Sequence, residues 1–332
     1  MTDLDFRNLI NRLNSFCMIL IVMMHCVVTV NIAGNTYLSD FVFSTFTRVA
    51  VPVFFIISGY LLFQHYNINK IVRRTRTVFV PFLLWSIITI AVFAFLQHVP
   101  LFSSYFNNQF QLTFESVFTR TFIKPLNGAL WFLRDLYILV LVSPIIWRIN
   151  QNKFCSHVVL LCLFIIWIIQ PVRFLTESGL FFYLGTYFAS RKELKFNLKL
   201  NGNVLFYIFI CLCLIFPVFY TETNKTILIK GLVLLGCVAI YSNKKFFLKD
   251  NPINRCLDSF KKYSFFVYAS HQIVCQFLKK LLFQVIPVYN IASVIVIYIL
   301  TVCCTIVVCI YMQKVLMVVM PKLVKILTGN RC

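Results

Sequence analysis

The sequence predicts an all-α integral membrane protein, a bundle of about ten transmembrane helices with both termini in the cytoplasm. Of its 332 residues, 60% are hydrophobic and only 12% are charged, whereas soluble domains average about 45–50% apolar and about 25% charged residues. Apolar runs near the ~20 residues that cross a bilayer as a helix recur along the chain. Most basic residues fall in the short segments between these runs.

Ten apolar runs follow one another along the chain, and each is a candidate membrane-spanning helix. The sixth is the shortest. The runs cover residues 14–33, 41–63, 78–97, 129–149, 155–171, 177–190, 204–220, 227–242, 263–285 and 289–314.

The distribution of lysine and arginine predicts the orientation of these helices. With the N-terminus inside, the inner segments hold 22 of the 31 basic residues, the outer segments hold 4, and the other five lie within or at the ends of runs. Cytoplasmic loops of membrane proteins carry an excess of these residues. We therefore expect cytoplasmic tails over residues 1–13 and 321–332, a membrane domain over residues 14–320, and an even number of spans. The first tail lacks a cleavage site and is not a signal peptide.

Charge and cysteine content exclude two other classes of protein. The net charge of +21 suggests nucleic-acid binding, but the basic residues are dispersed between apolar runs. The 13 cysteines form no C-x-x-C pair, and most lie inside apolar runs, where cysteine behaves as a small hydrophobic residue. We expect neither a disulfide framework nor a metal site. The longest outer connection, residues 98–128, has the length of a functional loop or lid.

His25 lies inside the first apolar run, where an ionisable side chain is costly and therefore a functional candidate. An imidazole can accept a proton from a hydroxyl group and return it later. The alternative is a histidine that packs against a neighbouring helix through a hydrogen bond. Arg48 lies near the outer end of the second run, where it either binds an anion or oxyanion or extends to the outer headgroups.

Arg73, Arg74 and Arg76 form a cluster in the cytoplasmic segment before the third run. The cluster either serves as a topology signal or binds phosphate, because the planar guanidinium group matches phosphate oxygens. Arg134 and Asp135 open the fourth run, and Asp135 is predicted to be the only acidic residue within a span. Adjacent residues point to different helix faces, so the two need not pair with each other. They either anchor the helix at the interface or order a site near the outer leaflet.

His271 and Tyr268 lie three residues apart in the ninth run and therefore share a helix face. They either line a cavity or form a polar seam between helices. Two histidines can also bind a metal, but no companion carboxylate or thiolate pattern accompanies them, so no metal is expected.

Several segments together resemble acyltransferase family 3, a family of integral membrane proteins that includes bacterial O-acetyltransferases of surface polysaccharides. The matches follow one another along nearly the whole chain, and the second block followed by WFLRDL is the most specific. They are SFCMILIVMMHC, RVAVPVFFIISGYLLF, RRTR leading into VPFLLW, GALWFLRDLYILVLVSPII, SGLFFYLGTYFA and SFFVYASHQIV.

The resemblance implies transfer of an acyl group, usually acetyl from cytosolic acetyl-CoA, to a hydroxyl of a glycan or glycolipid. It implies that His25 is the essential histidine of the first span. It also implies that Arg73 and Arg76 are the R-x-x-R pair of the cytoplasmic loop, and that Arg48 is the arginine opening the second block.

The chain departs from the family at one position. The family usually has an arginine eleven positions before the histidine, where this chain has Asn14, and the nearest arginine is Arg12. Two residues correspond to a rotation of about 200° on a helix, so we expect Arg12 to face elsewhere unless the backbone is irregular.

The sequence therefore predicts a multi-pass O-acyltransferase of a bacterial inner (plasma) membrane. Its expected partners are acyl-CoA, a glycan or glycolipid acceptor and the bilayer, without nucleic acid. His25 acts as a general base or carries the acyl group transiently. A transporter or flippase for a glycan or small organic acid, and a catalytically inactive scaffold, are the alternatives. The acceptor sugar, the acyl chain and the oligomeric state are not determined by the sequence.

Overall fold

The computed structural model describes residues 3–27, 40–99, 112–170, 175–191, 201–221, 223–287 and 290–331. These residues form helices and the connections between them, and no strand occurs among them. The end of the first predicted run and much of the predicted outer connection lie outside the described residues.

Ten long helices, α1 to α10, correspond in order to the ten predicted runs. Shorter helical segments at 69–74, 114–118, 244–248, 252–260 and 321–327 connect or extend them. The long helices are α1 (Asp3–Cys26), α2 (Ala50–Phe63), α3 (Val80–Leu96), α4 (Trp131–Gln151), α5 (Lys153–Ile169), α6 (Thr176–Ser190), α7 (Gly202–Phe219), α8 (Lys225–Ser242), α9 (Ser264–Val285) and α10 (Ile291–Val319).

Seven helical segments among the described residues are long and apolar enough to cross a membrane. They contain α1, α2, α3, α4, α7, α8 and α10. Helices α5 and α6 are shorter, and α9 contains a histidine and two lysines. The fold is therefore that of an all-α membrane protein.

Helix α1 extends further towards the N-terminus than the first apolar run. It begins at Asp3, inside the segment predicted as a tail, and ends at Cys26. His25 therefore lies in the last turn of a helix, whereas the sequence places it in the middle of an apolar run. This position brings the free carbonyl groups of a helix end next to the imidazole.

The second apolar run is divided into a π-helical segment, Asp40–Phe46, and α2. At the break the Thr47 hydroxyl donates a 2.5 Å hydrogen bond to the carbonyl oxygen of Val42. Pro52 lies in the first turn of α2, where backbone N–H groups lack intrahelical partners. The proline therefore fits the helix that begins at Ala50.

Helices α2 and α6 pack with their backbones in direct contact. A Cβ atom at Gly185 would clash with the carbonyl oxygen of Ile56, and one at Gly59 would clash with that of Phe182. Such small-residue contacts are typical of helix pairs in membranes. Helix α6 is consequently buried at nearly every position from Glu177 to Tyr187.

Large apolar side chains cover the outer faces of α5 and α7. Exposed apolar side chains in this number would be unfavourable in water, but they match a lipid environment. Among the most exposed are Phe154, Leu161, Ile169, Tyr207, Val218 and Phe219.

Candidate active site

His25 and His271 face each other between α1 and α9. Their ring centroids are 5.1 Å apart and their planes are inclined at 52°. His271 is fully buried, whereas His25 is half-buried. The structure thus brings together the two histidines that the sequence identified as separate candidates.

The hydrogen bonds of His271 determine which of its ring nitrogens carries a proton. Nδ1 lies 2.7 Å from the carbonyl oxygen of Tyr268 and 3.1 Å from that of Val267. Carbonyl oxygens only accept, so Nδ1 is the donor and the neutral ring has its lone pair on Nε2. Nε2 is buried and has no hydrogen-bond partner within the described residues. An unsatisfied buried acceptor costs about 1–3 kcal/mol, so this atom is available to a group that enters the site.

Lys279 fixes the end of α1 that carries His25. Its ammonium group, on α9, donates hydrogen bonds to the carbonyl oxygens of His25 at 2.8 Å and Val27 at 3.1 Å. The last carbonyls of a helix lack intrahelical partners, and a cation is favourable there. Lys279 was not among the candidates named from the sequence; a charge inside an apolar run is the signal that could have identified it.

Tyr268 lies on the same face of α9 as His271, as its spacing predicts, with a ring-centroid distance of 6.3 Å. Its hydroxyl donates to the carbonyl oxygen of Ala129. The N–H of Ala129 in turn donates a 2.6 Å hydrogen bond to the Gln272 side chain. These bonds hold the segment before α4 against α9 and fix the orientation of Tyr268.

Arg48 forms an ion pair with Glu177, at the start of α6, with a nitrogen–oxygen distance of 3.0 Å. Glu177 is buried, so the expectation that Asp135 is the only acid within a span is wrong. A glutamate in the first turn of a short apolar run was the available signal. Among the contacts of the described residues, none joins Arg48 to either histidine of the facing pair.

Arg134 and Asp135 pair with each other, a contact that their adjacent positions left open. The guanidinium group lies 2.9 Å from the Asp135 carboxylate and also donates to the carbonyl oxygens of Phe122 and Ile123. Adjacent positions point apart on a helix, but the long arginine side chain folds back along the helix surface. Ser178 donates to the other carboxylate oxygen at 3.0 Å. The pair therefore joins α4 to α6 and to the preceding loop.

Arg73, Arg74 and Arg76 lie on a helical segment with a local irregularity. Residues Asn69–Arg74 are α-helical, and Thr75–Phe79 form a π-helical turn, a feature common at functional sites. Arg73 and Arg76 are exposed, and Arg74 is half-buried. None of the ion pairs found in the described ranges includes any of these arginines. Their charges are available to an anionic ligand.

Arg12, the arginine nearest to the position of Asn14, is paired with residues near the start of α9. Its guanidinium group pairs with Asp258 at 2.7 Å and donates to the carbonyl oxygen of Phe247, also at 2.7 Å. These bonds fasten α1 to the segment that precedes α9. Asn14 is eleven residues before His25, a rotation of about 20°, so it lies on the same side of α1.

Within the described residues, no cluster of three or more histidine, cysteine, aspartate or glutamate side chains is arranged to hold a metal ion.

A helical membrane bundle with two facing histidines, and with arginines outside the ion pairs of its described residues, is the arrangement expected of a membrane-embedded acyltransferase. The family model described as "Acyltransferase domain", that of acyltransferase family 3, matches residues 10–313. The chain belongs to this family.

A relative is the succinoglycan biosynthesis protein ExoH of Rhizobium meliloti (strain 1021). The two sequences are 32% identical over 118 residues, which cover 33% of this chain and 32% of ExoH. The matched region thus spans about a third of the relative. No solved structure matches the chain significantly.

Proposed function

We propose that this protein transfers an acyl group, expected to be acetyl, from acyl-CoA to a hydroxyl group of a cell-surface glycan or glycolipid. The observation that carries the proposal is the half-buried imidazole of His25, whose ring centroid lies 5.1 Å from that of His271, a residue whose Nε2 is unpartnered within the described residues. Membership of acyltransferase family 3 supports the reaction class. The name of the relative ExoH, a succinoglycan biosynthesis protein, supports a polysaccharide acceptor.

In the proposed reaction the acceptor oxygen forms a bond to the acyl carbon, and the bond from that carbon to sulfur breaks. His25 takes the hydroxyl proton as general base and returns it to the departing CoA thiolate. In the second version His25 attacks first and carries the acyl group before the acceptor takes it. Both versions balance, because the acceptor proton ends on the thiol.

His271 positions His25 in this scheme. A base that is held by a third group is a recurrent arrangement in acyl transfer. In the proposed reaction the Nε2 lone pair of His271, which has no partner among the residues that the structure describes, becomes the acceptor for the N–H of His25 and favours the protonated ring that forms during transfer. Lys279 holds the end of the helix that carries His25, and Arg48 remains a candidate for stabilising negative charge on the thioester oxygen.

Arg73, Arg74 and Arg76 bind the phosphate groups of the donor in this proposal. An arginine guanidinium forms paired hydrogen bonds with phosphate oxygens. The absence of acidic partners within the described residues supports the assignment, because paired arginines would be neutralised.

The proposed topology has ten spans in the inner membrane of a bacterium. Tails 1–13 and 321–332 and the arginine cluster lie in the cytoplasm, and residues 14–320 form the membrane domain. The excess of basic residues in the inner segments supports this orientation. It places the arginines on the side from which a cytosolic donor arrives.

The test uses the full chain, purified in detergent and reconstituted in lipid. Radiolabelled acetyl-CoA is supplied together with glycan acceptor from the source membrane, and transfer of label is measured. His25→Ala should abolish transfer, whereas His65→Asn should not, because His65 is exposed and its positive φ of 58° suits asparagine. Full transfer by His25→Ala would refute the role of His25, and no transfer by the unaltered protein would refute the proposed reaction.

A second test examines the arginine cluster. The double variant Arg73→Ala, Arg76→Ala should bind CoA at least tenfold more weakly while inserting normally into the membrane. Unchanged CoA affinity would leave these residues with a role in topology alone.

A further inference from the structure

Residues 327–331, at the end of the helical segment 321–327 and beyond it, lie against α3 and the π-helical turn Thr75–Phe79 that precedes it. The indole N–H of Trp85, on α3, donates a 3.1 Å hydrogen bond to the carbonyl oxygen of Leu327. Thr328 and Gly329 are both buried beyond it. The backbone just before Arg331 is therefore held against α3.

Gly329 allows the two backbones to approach closely. Its φ of +61° is unfavourable for other residues, and a Cβ atom there would lie 2.5 Å from the carbonyl oxygen of Thr77. Two residues later the guanidinium group of Arg331 donates a 2.9 Å hydrogen bond to that same carbonyl oxygen. Thr77 also donates its hydroxyl to the carbonyl oxygen of Arg73. Arg331 is thus tied to the π-helical turn of the arginine cluster.

Arg331 is exposed to water, yet its guanidinium group packs closely against protein. Its guanidinium carbon lies 4.3 Å from the ring centroid of Phe265, in a cation–π contact. The enclosure, together with repulsion from the charge of Arg74, lowers the pKa of Arg331 to about 10. At neutral pH both guanidinium groups remain charged and repel each other.

No acidic side chain compensates this repulsion in the described part of the chain, where the ion pairs include neither Arg74 nor Arg331. Arginine has five N–H donors, and the hydrogen bond from Arg331 to the Thr77 carbonyl oxygen uses one of them. Two like charges held together by a rigid backbone contact are stabilised when an anion lies between them.

A row of aromatic side chains on α9 runs from the Phe265 ring beneath Arg331 to the facing histidines. Phe265, Tyr268 and His271 follow at intervals of three residues and lie on one face. The Phe265 and Tyr268 ring centroids are 6.0 Å apart, and those of Tyr268 and His271 are 6.3 Å apart. Six residues of helix advance by about 9 Å. An anion beside Arg331 would therefore lie on the same face of α9 as His271, about 9 Å nearer to the start of that helix.

We infer that Arg331 completes the phosphate-binding site of the acyl donor together with Arg74 of the cluster, and that the Thr77 carbonyl oxygen fixes the orientation of Arg331. The inference rests on the proposed function, because it assigns a further residue to the same donor. It adds a cation that is more than 250 residues away in the chain from the R-x-x-R segment. The donor phosphate takes the place of the missing acidic partner.

The test measures binding of CoA, dephospho-CoA and pantetheine to the full chain purified in detergent, by isothermal titration calorimetry. Arg331→Gln should weaken CoA binding about tenfold and leave the binding of pantetheine, which has no phosphate, unchanged. Dephospho-CoA shows which phosphate is involved. If Arg331→Gln loses as much affinity for dephospho-CoA as for CoA, the residue binds the pyrophosphate. If it loses no affinity for dephospho-CoA, the residue binds the 3′-phosphate.

Lys322→Gln is the matched control, because it removes the same charge from an exposed side chain in the preceding helical segment, Pro321–Leu327. It should bind CoA normally. Arg331→Lys keeps the charge and should give an intermediate affinity, which separates binding from a folding defect. The double variant Arg74→Gln, Arg331→Gln should lose less affinity than the single losses combined, because both residues contact one group.

The outcomes separate this inference from the proposed function. If CoA binds and Arg74→Gln weakens it but Arg331→Gln and Arg331→Lys do not, Arg331 is not part of the site and the proposed reaction stands. Equal losses for CoA and pantetheine would also overturn the inference. If the unaltered protein binds no CoA, both the inference and the proposed donor fail.

Discussion

His25 and His271 lie 246 positions apart in the sequence, and their ring centroids lie 5.1 Å apart in the folded chain. Two sets of contacts hold the two rings. Lys279 caps the end of α1 next to His25, and the carbonyl oxygens of Val267 and Tyr268 fix the proton of His271 on Nδ1. His25 is therefore partly accessible, and the neighbouring His271 has a lone pair on Nε2 that is buried and unpartnered in the described part of the chain.

Replacement of His271 tests whether it positions His25. His271→Asn removes the Nε2 acceptor and should lower kcat for acetyl transfer about 100-fold with little change in KM for acetyl-CoA. His271→Gln can place an amide oxygen near the position of Nε2 and should recover part of kcat. Initial rates at varied acetyl-CoA concentration provide the measurement. Equal kcat in both variants and the unaltered protein would assign His271 to packing.

Removal of the charge on Arg48 tests whether the ion pair with Glu177 is structural. Arg48→Met leaves a buried carboxylate without its partner, which should cost about 3–5 kcal/mol of stability. Arg48→Met combined with Glu177→Gln removes both charges and should recover most of the thermal stability in detergent. If transfer activity recovers as well, Arg48 is structural. If stability recovers and activity does not, Arg48 acts in the reaction.

The Arg12–Asp258 contact makes a prediction about the first helix. Arg12→Gln should lower stability by about 1–2 kcal/mol, because several charge-assisted hydrogen bonds are lost from a partly exposed site. The kcat of the folded variant should stay unchanged, because Asp258 and the Phe247 carbonyl already occupy this guanidinium group. Thermal unfolding and initial rates measured on one preparation decide the point. A large loss of kcat at normal stability would mean that Arg12 replaces the arginine absent at Asn14.

The close contact between α2 and α6 gives a prediction with an internal control. Gly185→Ala introduces a methyl group against the Ile56 carbonyl and should destabilise the protein by about 1–3 kcal/mol. Gly179→Ala, on the same helix, places a methyl group in open space. It should be neutral or add up to about 1 kcal/mol, because alanine favours helix. Equal thermal stability of the two variants would contradict the backbone-to-backbone packing.

Some features of the candidate site follow from local sequence, and others do not. The spacing of Tyr268 and His271 predicts their shared face because a helix repeats every 3.6 residues. Helical periodicity left open whether Arg134 and Asp135 pair, because a long side chain can bend back along the helix, and in the structure the two pair. Glu177 was overlooked as a buried acid because it stands at the edge of an apolar run, where burial depends on neighbouring helices.

The sequence by itself determined the class of protein, the order of the helical segments and the residue types available for chemistry. These follow from the cost of exposing backbone and charge to lipid, which acts on each segment separately. Only the tertiary structure decided that His25 faces His271, that Arg12 pairs with Asp258, and that Arg331 lies beside the arginine cluster. These contacts join residues roughly 250 positions apart, and their geometry depends on how whole helices pack, which no local pattern encodes.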